Sequence, residues 1–147
     1  VIQIMSWLDM SNAPQKYQYL TGLYQEACYQ EGNRLFLEKK PYEAYAYYKQ
    51  LPVSYRAMSD KLQNACYLLL GTWEDRDGNR YIFREEGICN LNGETAYFNV
   101  VDTKVYTGSA ADALTLTHRI NGVNRTTAWL IDQRGGREIT IKLTRVD

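Results

Sequence analysis

Residues 67–74 read Tyr67-Leu68-Leu69-Leu70-Gly71-Thr72-Trp73-Glu74, and the chain changes character inside them. Ten of its 13 tyrosines precede residue 71; only Tyr81, Tyr97 and Tyr106 follow. The basic residues switch type at the same place, from five Lys and two Arg before Gly71 to two Lys and eight Arg after it. Two of the 10 glycines, Gly22 and Gly32, come before the junction, and the rest start at Gly71. Such a shift predicts two structural units, one over residues 1–69 and one over 70–147. No Pro/Gly/Ser-rich linker separates them, so the units are expected to pack rigidly on each other. The run Tyr67 to Leu70 is too apolar for a single helical stripe, so at least one of its side chains is expected to face the second unit.

Upstream of the junction the apolar residues follow a helical period. Tyr17, Leu20, Tyr24, Ala27, Cys28 and Leu35 recur at steps of three and four. Pro41 suits the first turn of a new helix, where its missing N–H costs nothing. Ala44, Tyr48 and Leu51 mark that helix, and Pro52 ends it. A third helix is expected from Met58 to Leu70, capped by Ser54. Residues 1–13, with Ile2, Ile4, Trp7 and Leu8, read either as a preceding helix or as a docked extended arm. The chain begins Val-Ile-Gln-Ile rather than with Met, and we read it as an excised segment of a longer protein.

Gly32, Leu35, Phe36, Ala44, Tyr48 and Pro52 stand where a tetratricopeptide repeat places its small, aromatic and closing proline positions, and the segment 32–52 resembles that family. The resemblance implies close helix–helix approach at Gly32 and Ala44. About one and a half repeats are visible, whereas stacked repeats need roughly three for stability. The helices are therefore expected to lean on the second unit or on helices outside this sequence.

Downstream of the junction, turn signals arrive every eight to twelve residues: Asp77-Gly78-Asn79, Glu86-Gly87, Asn92-Gly93, Asp102-Thr103, Gly108-Ser109, Asn121-Gly122 and Gly135-Gly136. Short β-forming runs lie between them. Tyr81 and Phe83 alternate with Arg80, Ile82 and Arg84; Leu114, Leu116, His118 and Ile120 are expected to share a face; Ile139, Ile141 and Leu143 alternate with Thr140, Lys142 and Thr144. This pattern predicts about eight antiparallel strands in a meander, closed as a small barrel or packed as a sandwich. The fold class expected for the whole chain is α+β.

Gly71-Thr72-Trp73 at the head of such a meander resembles the G-x-W start of lipocalin-like barrels. The resemblance implies structural roles for Trp73, as a plug at the barrel base, and for Arg145, whose parity with Leu143 carries it to Trp73 if the first and last strands adjoin. The layout of repeat-like helices followed by a small G-x-W unit is similar to envelope-anchored proteins of Gram-positive bacteria, which implies an extracytoplasmic setting. A barrel this small fills its interior with its own side chains.

Composition narrows the function classes. There are 17 Lys+Arg and 17 Asp+Glu, so the net charge is zero, and the basic footprint of a nucleic-acid binder is missing. No apolar run reaches the length of a membrane span, so a membrane is expected only through a segment outside this sequence. Asp75, Asp77 and Asn79 alternate as in a calcium loop, but Arg80 stands where that loop needs Gly, and the stretch reads as a hairpin turn. Cys28, Cys66 and Cys89 lack zinc spacing. Cys28 and Cys66 read as small buried hydrophobes, with a disulfide between adjacent helices as the alternative. The one histidine, His118, reads first as a buried strand histidine satisfied by a neighbour, and second as a ligand-binding residue. A Cys89–His118 pair would need an orienting Asn or Asp that the sequence does not single out.

The tyrosines around residues 42–55 are too many for one core, and Tyr is enriched at interfaces. Tyr42, Tyr45, Tyr47 and Tyr55, with His118, are the candidate ligand- or partner-binding residues. No catalytic residue, cofactor or metal site is expected. The expected function is a non-catalytic protein-interaction or scaffolding module of a bacterial envelope protein, its partner being another protein or the remainder of its own longer chain. The alternative is a β-unit that binds a small ligand.

Overall fold

A computed structural model gives the fold and describes residues 13–147; the two readings of residues 1–13 fall almost wholly outside that range. Helix α1 spans Ala13–Leu37 and α2 spans Pro41–Tyr48, with Pro41 in the first turn as expected. Lys39, at φ 65, takes the left-handed conformation that ends α1, and the Lys40 amide donates back to the Leu35 carbonyl. The two helices approach closely at Gly32, where a Cβ would overlap the Tyr48 ring. The Tyr48 hydroxyl donates to Asn33 Oδ1 at 2.6 Å. Among the described residues, no helix is long and apolar enough to cross a membrane.

The third helix differs from expectation. Instead of one helix from Met58 to Leu70 there are two short ones, α3 (Met58–Lys61) and α4 (Ala65–Leu68). The break is chemical: Asn64 accepts a bond from the Cys66 amide at 3.2 Å and caps α4 instead of continuing α3. Ser54 does not cap α3 either. Arg56 turns the chain at φ 46, and Ala57 precedes the helix without a side-chain cap.

Eight strands follow: β1 (Gly71–Glu74), β2 (Arg80–Phe83), β3 (Ile88–Leu91), β4 (Glu94–Val101), β5 (Lys104–Gly108), β6 (Thr115–Val123), β7 (Thr127–Asp132) and β8 (Ile139–Arg145). Each pairs antiparallel with the next and β8 returns to β1, which makes a closed barrel. Period-two alternation sends Trp73, Phe83, Phe98, Val105, Leu130 and Leu143 inside, where they are buried. One continuous buried cluster runs from Cys28 and Tyr48 through Tyr67 and Leu69 into the barrel, so helices and strands share a core. Cys28, Cys66 and Cys89 are all buried and free, which corrects the disulfide alternative.

Two strand-level readings also change. Asn121-Gly122 is not a turn but part of β6, and the reversal comes at residues 124–126, where the Asn124 side chain accepts from the Thr126 and Thr127 amides. The shared face of Leu114, Leu116, His118 and Ile120 is broken, because β6 shifts register against β5 between the Val105–His118 and Tyr106–Leu116 pairs. One extra residue, Thr117, flips what precedes it to the other face. His118 and Ile120 are buried, while Leu116 is exposed and Leu114 lies ahead of the strand.

Candidate functional site

A meander alternates its connections between the two ends of the barrel, and the ends are built differently. At one end the helices close the barrel. The Tyr42 ring lies 4.9 Å from that of Phe98, and Asn99 Nδ2 donates to the Lys39 carbonyl at 3.0 Å. Trp73, fully buried, sits beneath the Arg145 guanidinium, whose Cζ lies 4.3 Å from the ring centroid. Arg145 donates to the carbonyls of Leu68, Leu70 and Arg125 at 2.7, 2.9 and 2.7 Å, and Trp73 Nε1 donates to Leu69 at 2.8 Å. Three successive carbonyls that α4 leaves without helical partners are satisfied this way. Gly71 is needed here: its φ is +134, and a Cβ would overlap Arg145 Nη1.

The other end is open and polar. Asp75, Tyr81, His118, Asp132 and Arg134 converge on it from the β1–β2 turn, β2, β6, β7 and the β7–β8 loop. Arg134 holds Asp132 with Nη2 at 2.9 Å and Nε at 3.1 Å, and its amide adds a bond at 2.9 Å. Burial works to raise the Asp132 carboxyl, but the bonds from Arg134 outweigh it, and its pKa falls below the ordinary value. His118 is 2% exposed. Its Nδ1 lies 2.8 Å from Thr117 Oγ1, which in turn lies 3.0 Å from Thr107 Oγ1. Its Nε2 stands 3.7 Å from Asp132 Oδ2 and makes no hydrogen bond among the described residues. Burial pushes the imidazole pKa down, Asp132 pulls it back part of the way, and Arg134 lowers it again. The ring is therefore neutral at neutral pH. The Tyr81 hydroxyl lies 3.4 Å from Asp75 Oδ2, and burial raises its pKa.

Asp75 is spent inside its turn. Oδ1 accepts from the Asp77 and Asn79 amides, both at 2.9 Å, and Oδ2 from Asn79 Nδ2 at 2.9 Å. The neutral imidazole and the Asp132–Arg134 pair can orient a polar group. Burial pushes the Cys89 thiol up to about 11, so it carries no thiolate at neutral pH to pair with His118.

The tyrosines do not converge. Tyr42 is buried in the shared core, its hydroxyl donating to the Cys66 carbonyl at 2.9 Å. Tyr45 is half-buried against Tyr67, with ring centroids 5.2 Å apart. The Tyr55 hydroxyl donates to Glu26 on α1 at 2.7 Å, and its ring meets Tyr29 edge-on at 5.7 Å. Tyr47 points outward. His118 stands apart from all four, at the open end of the barrel.

Sequence reasoning missed two surfaces. One is the first half of α1, where Tyr17 and Tyr24, read as part of the apolar stripe, and Leu23, which that stripe left out, are exposed; which helix would cover them was not legible. The other is the seam between β1 and β8. These strands pair only at Trp73–Arg145 and Glu74–Thr144, while β8 pairs with β7 over its whole length from Ile139 to Thr144. A groove of about 750 Å³ opens along the seam, lined by residues 74–77 and by β8. In comparisons with protein-family models, curated proteins and solved structures, nothing matches this chain.

Proposed function

We propose that this chain is a non-catalytic protein-interaction module of a bacterial envelope protein, with α1 as its partner-facing helix and the barrel as its rigid support. The observation that carries this reading is the apolar exposure of the first half of α1. Tyr17 is 70% exposed, and Leu23 and Tyr24 are each more than half exposed. α1 has 25 residues and α2 has 8, so α1 is about 37 Å long and α2 about 12 Å. The contacts of α1 run from Tyr24, bonded to Gln50 just past α2, through Gly32 and Asn33 at Tyr48, to Phe36 against Tyr67 of α4. Tyr17, Leu20 and Tyr24 fall at i, i+3 and i+7, the spacing of anchors that dock another helix. A tetratricopeptide-like pair presents such a face to its neighbour, which favours an amphipathic helix as the occupant, from a partner or from the remainder of a longer chain. The envelope setting rests on the sequence resemblance alone.

The test is a photocrosslinking residue placed at Tyr17 or Tyr24 in cells that express the full-length protein. One discrete adduct from both positions, lost on Leu23→Arg and not formed from Tyr97 on the barrel, supports the reading. Equal adducts from Tyr97, or none from α1, would sink it.

A small ligand in the barrel is the second reading, favoured by one feature: the buried His118 Nε2 with no bond of its own beside Asp132. Such a ligand would shift the His118 ring resonances and leave the α1 adducts unchanged.

A further inference from the structure

We propose that the break between α3 and α4 is a binding site for a free aromatic α-amino acid, held as its zwitterion. The site shares no residue with the exposed stretch of α1 and stands independently of the partner-binding reading. Residues 62–64 interrupt what would otherwise be one helix. The interruption opens a pocket of about 370 Å³ between α1, the end of α2 and the α3–α4 junction. That volume falls at the lower end of the range for small-molecule sites, about 300–1,000 Å³.

Aromatic rings make the walls. Phe36 of α1, Tyr48 of α2 and Tyr67 of α4 line the pocket. The Phe36 and Tyr67 rings stand 6.3 Å apart, and Tyr48 meets Tyr67 edge-on at 6.4 Å. Both phenol hydrogens are engaged by residues outside the lining: Tyr67 donates to the Pro41 carbonyl at 2.7 Å and Tyr48 to Asn33 Oδ1 at 2.6 Å. The walls therefore offer ring carbon, which suits a planar aromatic group stacked offset or edge-on.

Two opposite charges select the rest of the ligand. Asp60 and Lys61 are the charged residues of the lining among the described residues, so the pocket is neutral as a whole. Asp60 is exposed and Lys61 half-buried, which puts both at the mouth, whereas Tyr48 and Tyr67 are buried. As consecutive residues of α3 they project roughly 100° apart. Neither forms an ion pair among the described residues, with the other or with a third group. Lys61 Nζ lies instead over two rings, 5.3 Å from the Tyr29 centroid and 5.8 Å from that of Tyr48. A simple anion would answer Lys61 and be repelled by Asp60, and a simple cation the reverse. A neutral ring would cover both charges and answer neither. An α-amino acid carries ammonium and carboxylate on one carbon, and answers both while its ring fills the aromatic pocket. Asn64 adds a donor for the carboxylate: its Oδ1 accepts from the Cys66 amide at 3.2 Å, but its Nδ2 makes no hydrogen bond among the described residues.

The experiment titrates the intact chain with L-phenylalanine and follows the backbone amide resonances. Parallel titrations use 3-phenylpropionate, which lacks the ammonium, phenethylamine, which lacks the carboxylate, and L-alanine, which lacks the ring. Saturable binding of L-phenylalanine is expected, at least about tenfold tighter than that of any of the three. The shifts should gather at Lys61, Asn64 and Tyr67. Lys61→Met should weaken L-phenylalanine about tenfold without weakening phenethylamine, and Asp60→Asn should do so without weakening 3-phenylpropionate. The ligand series tests the site without altering the protein. Equal binding of the four compounds, tighter binding of either half-ligand, or no saturable binding of L-phenylalanine overturns the proposal. So do shifts that gather at His118, which would put the ligand in the barrel.

Discussion

The two ends of the barrel solve opposite problems. At the helix-covered end an aromatic plug and a single guanidinium satisfy the carbonyls of Leu68, Leu69 and Leu70, and the apolar core runs on into the helices. At the other end the inward positions are titratable, and Asp132, Arg134 and His118 answer one another instead of a core. Burial of apolar surface dominates stability, so the closed end should carry most of it. Partly buried polar networks return little net free energy, so the open end is where the barrel can tolerate change.

The sharpest way to break this comparison is Trp73→Ala. Trp73 is fully buried, and Trp-to-Ala changes in cores cost about 3–5 kcal/mol. The urea midpoint should fall in proportion, for the helices and the barrel together. A loss below about 1 kcal/mol would mean that the plug is not what holds the closed end.

Arg145→Met should follow, at about 2–3 kcal/mol, since it strips the Leu68, Leu70 and Arg125 carbonyls of a charged donor. Arg145→Lys should recover less than half of that, because an ammonium cannot span the three carbonyls as the fork does. Equal stability of the Lys and Arg forms would reduce the interaction to simple charge over Trp73.

Gly32→Ala probes the helix pair. Its Cβ would overlap the Tyr48 ring, and overpacking of this kind costs about 1–3 kcal/mol. Thermal melts followed by helix circular dichroism should show the loss. An unchanged melting temperature would mean that Tyr48 moves aside freely.

The smallest effect belongs to the open end. Burial lowers the His118 pKa in the folded chain, so the unfolded chain takes up its proton first as pH falls. His118 therefore contributes stability that is fully present above the unfolded pKa, near 6.5, and is lost as pH falls through the lower folded value. Asp132 is likewise lowered, but its contribution is lost only at more acidic pH, below the ordinary carboxylate range. With one histidine in the sequence, the decline in urea midpoint between pH 7 and 5 should flatten in His118→Gln. An equal slope in the variant would place the pH dependence elsewhere.

Sequence reading has force where the determining interactions are local. The alternation of Ile139, Ile141, Leu143 and Arg145 is local and survives folding, so parity alone sets the Arg145 side chain against Trp73 once the first and last strands adjoin. Tyr81 and Phe83 go inside for the same reason. The Asp75–Asn79 turn is likewise legible, because its chemistry is completed within five residues. The candidate site is much less so. His118 stands out as the one histidine, but its companions Asp132 and Arg134 do not, since they meet it only through the β6–β7 pairing, whose register shifts between Ile120 and Gly122.

What the amino-acid sequence determined by itself was an α-then-β order, a strand count near eight, and the strand faces wherever the ladder is regular. All of these follow from period and turn chemistry. Only the tertiary structure decided that the barrel closes rather than splits into a sandwich. It also decided that Asn64 breaks the last helix in two, that Thr117 bulges and turns Leu116 outward, and that Tyr42 enters the core while Tyr47 does not. Each depends on which distant element covers a given face or edge. Short-range propensity is silent on that, because a strand cannot know from its own residues whether its neighbour runs its full length or, like β1 beside β8, stops short.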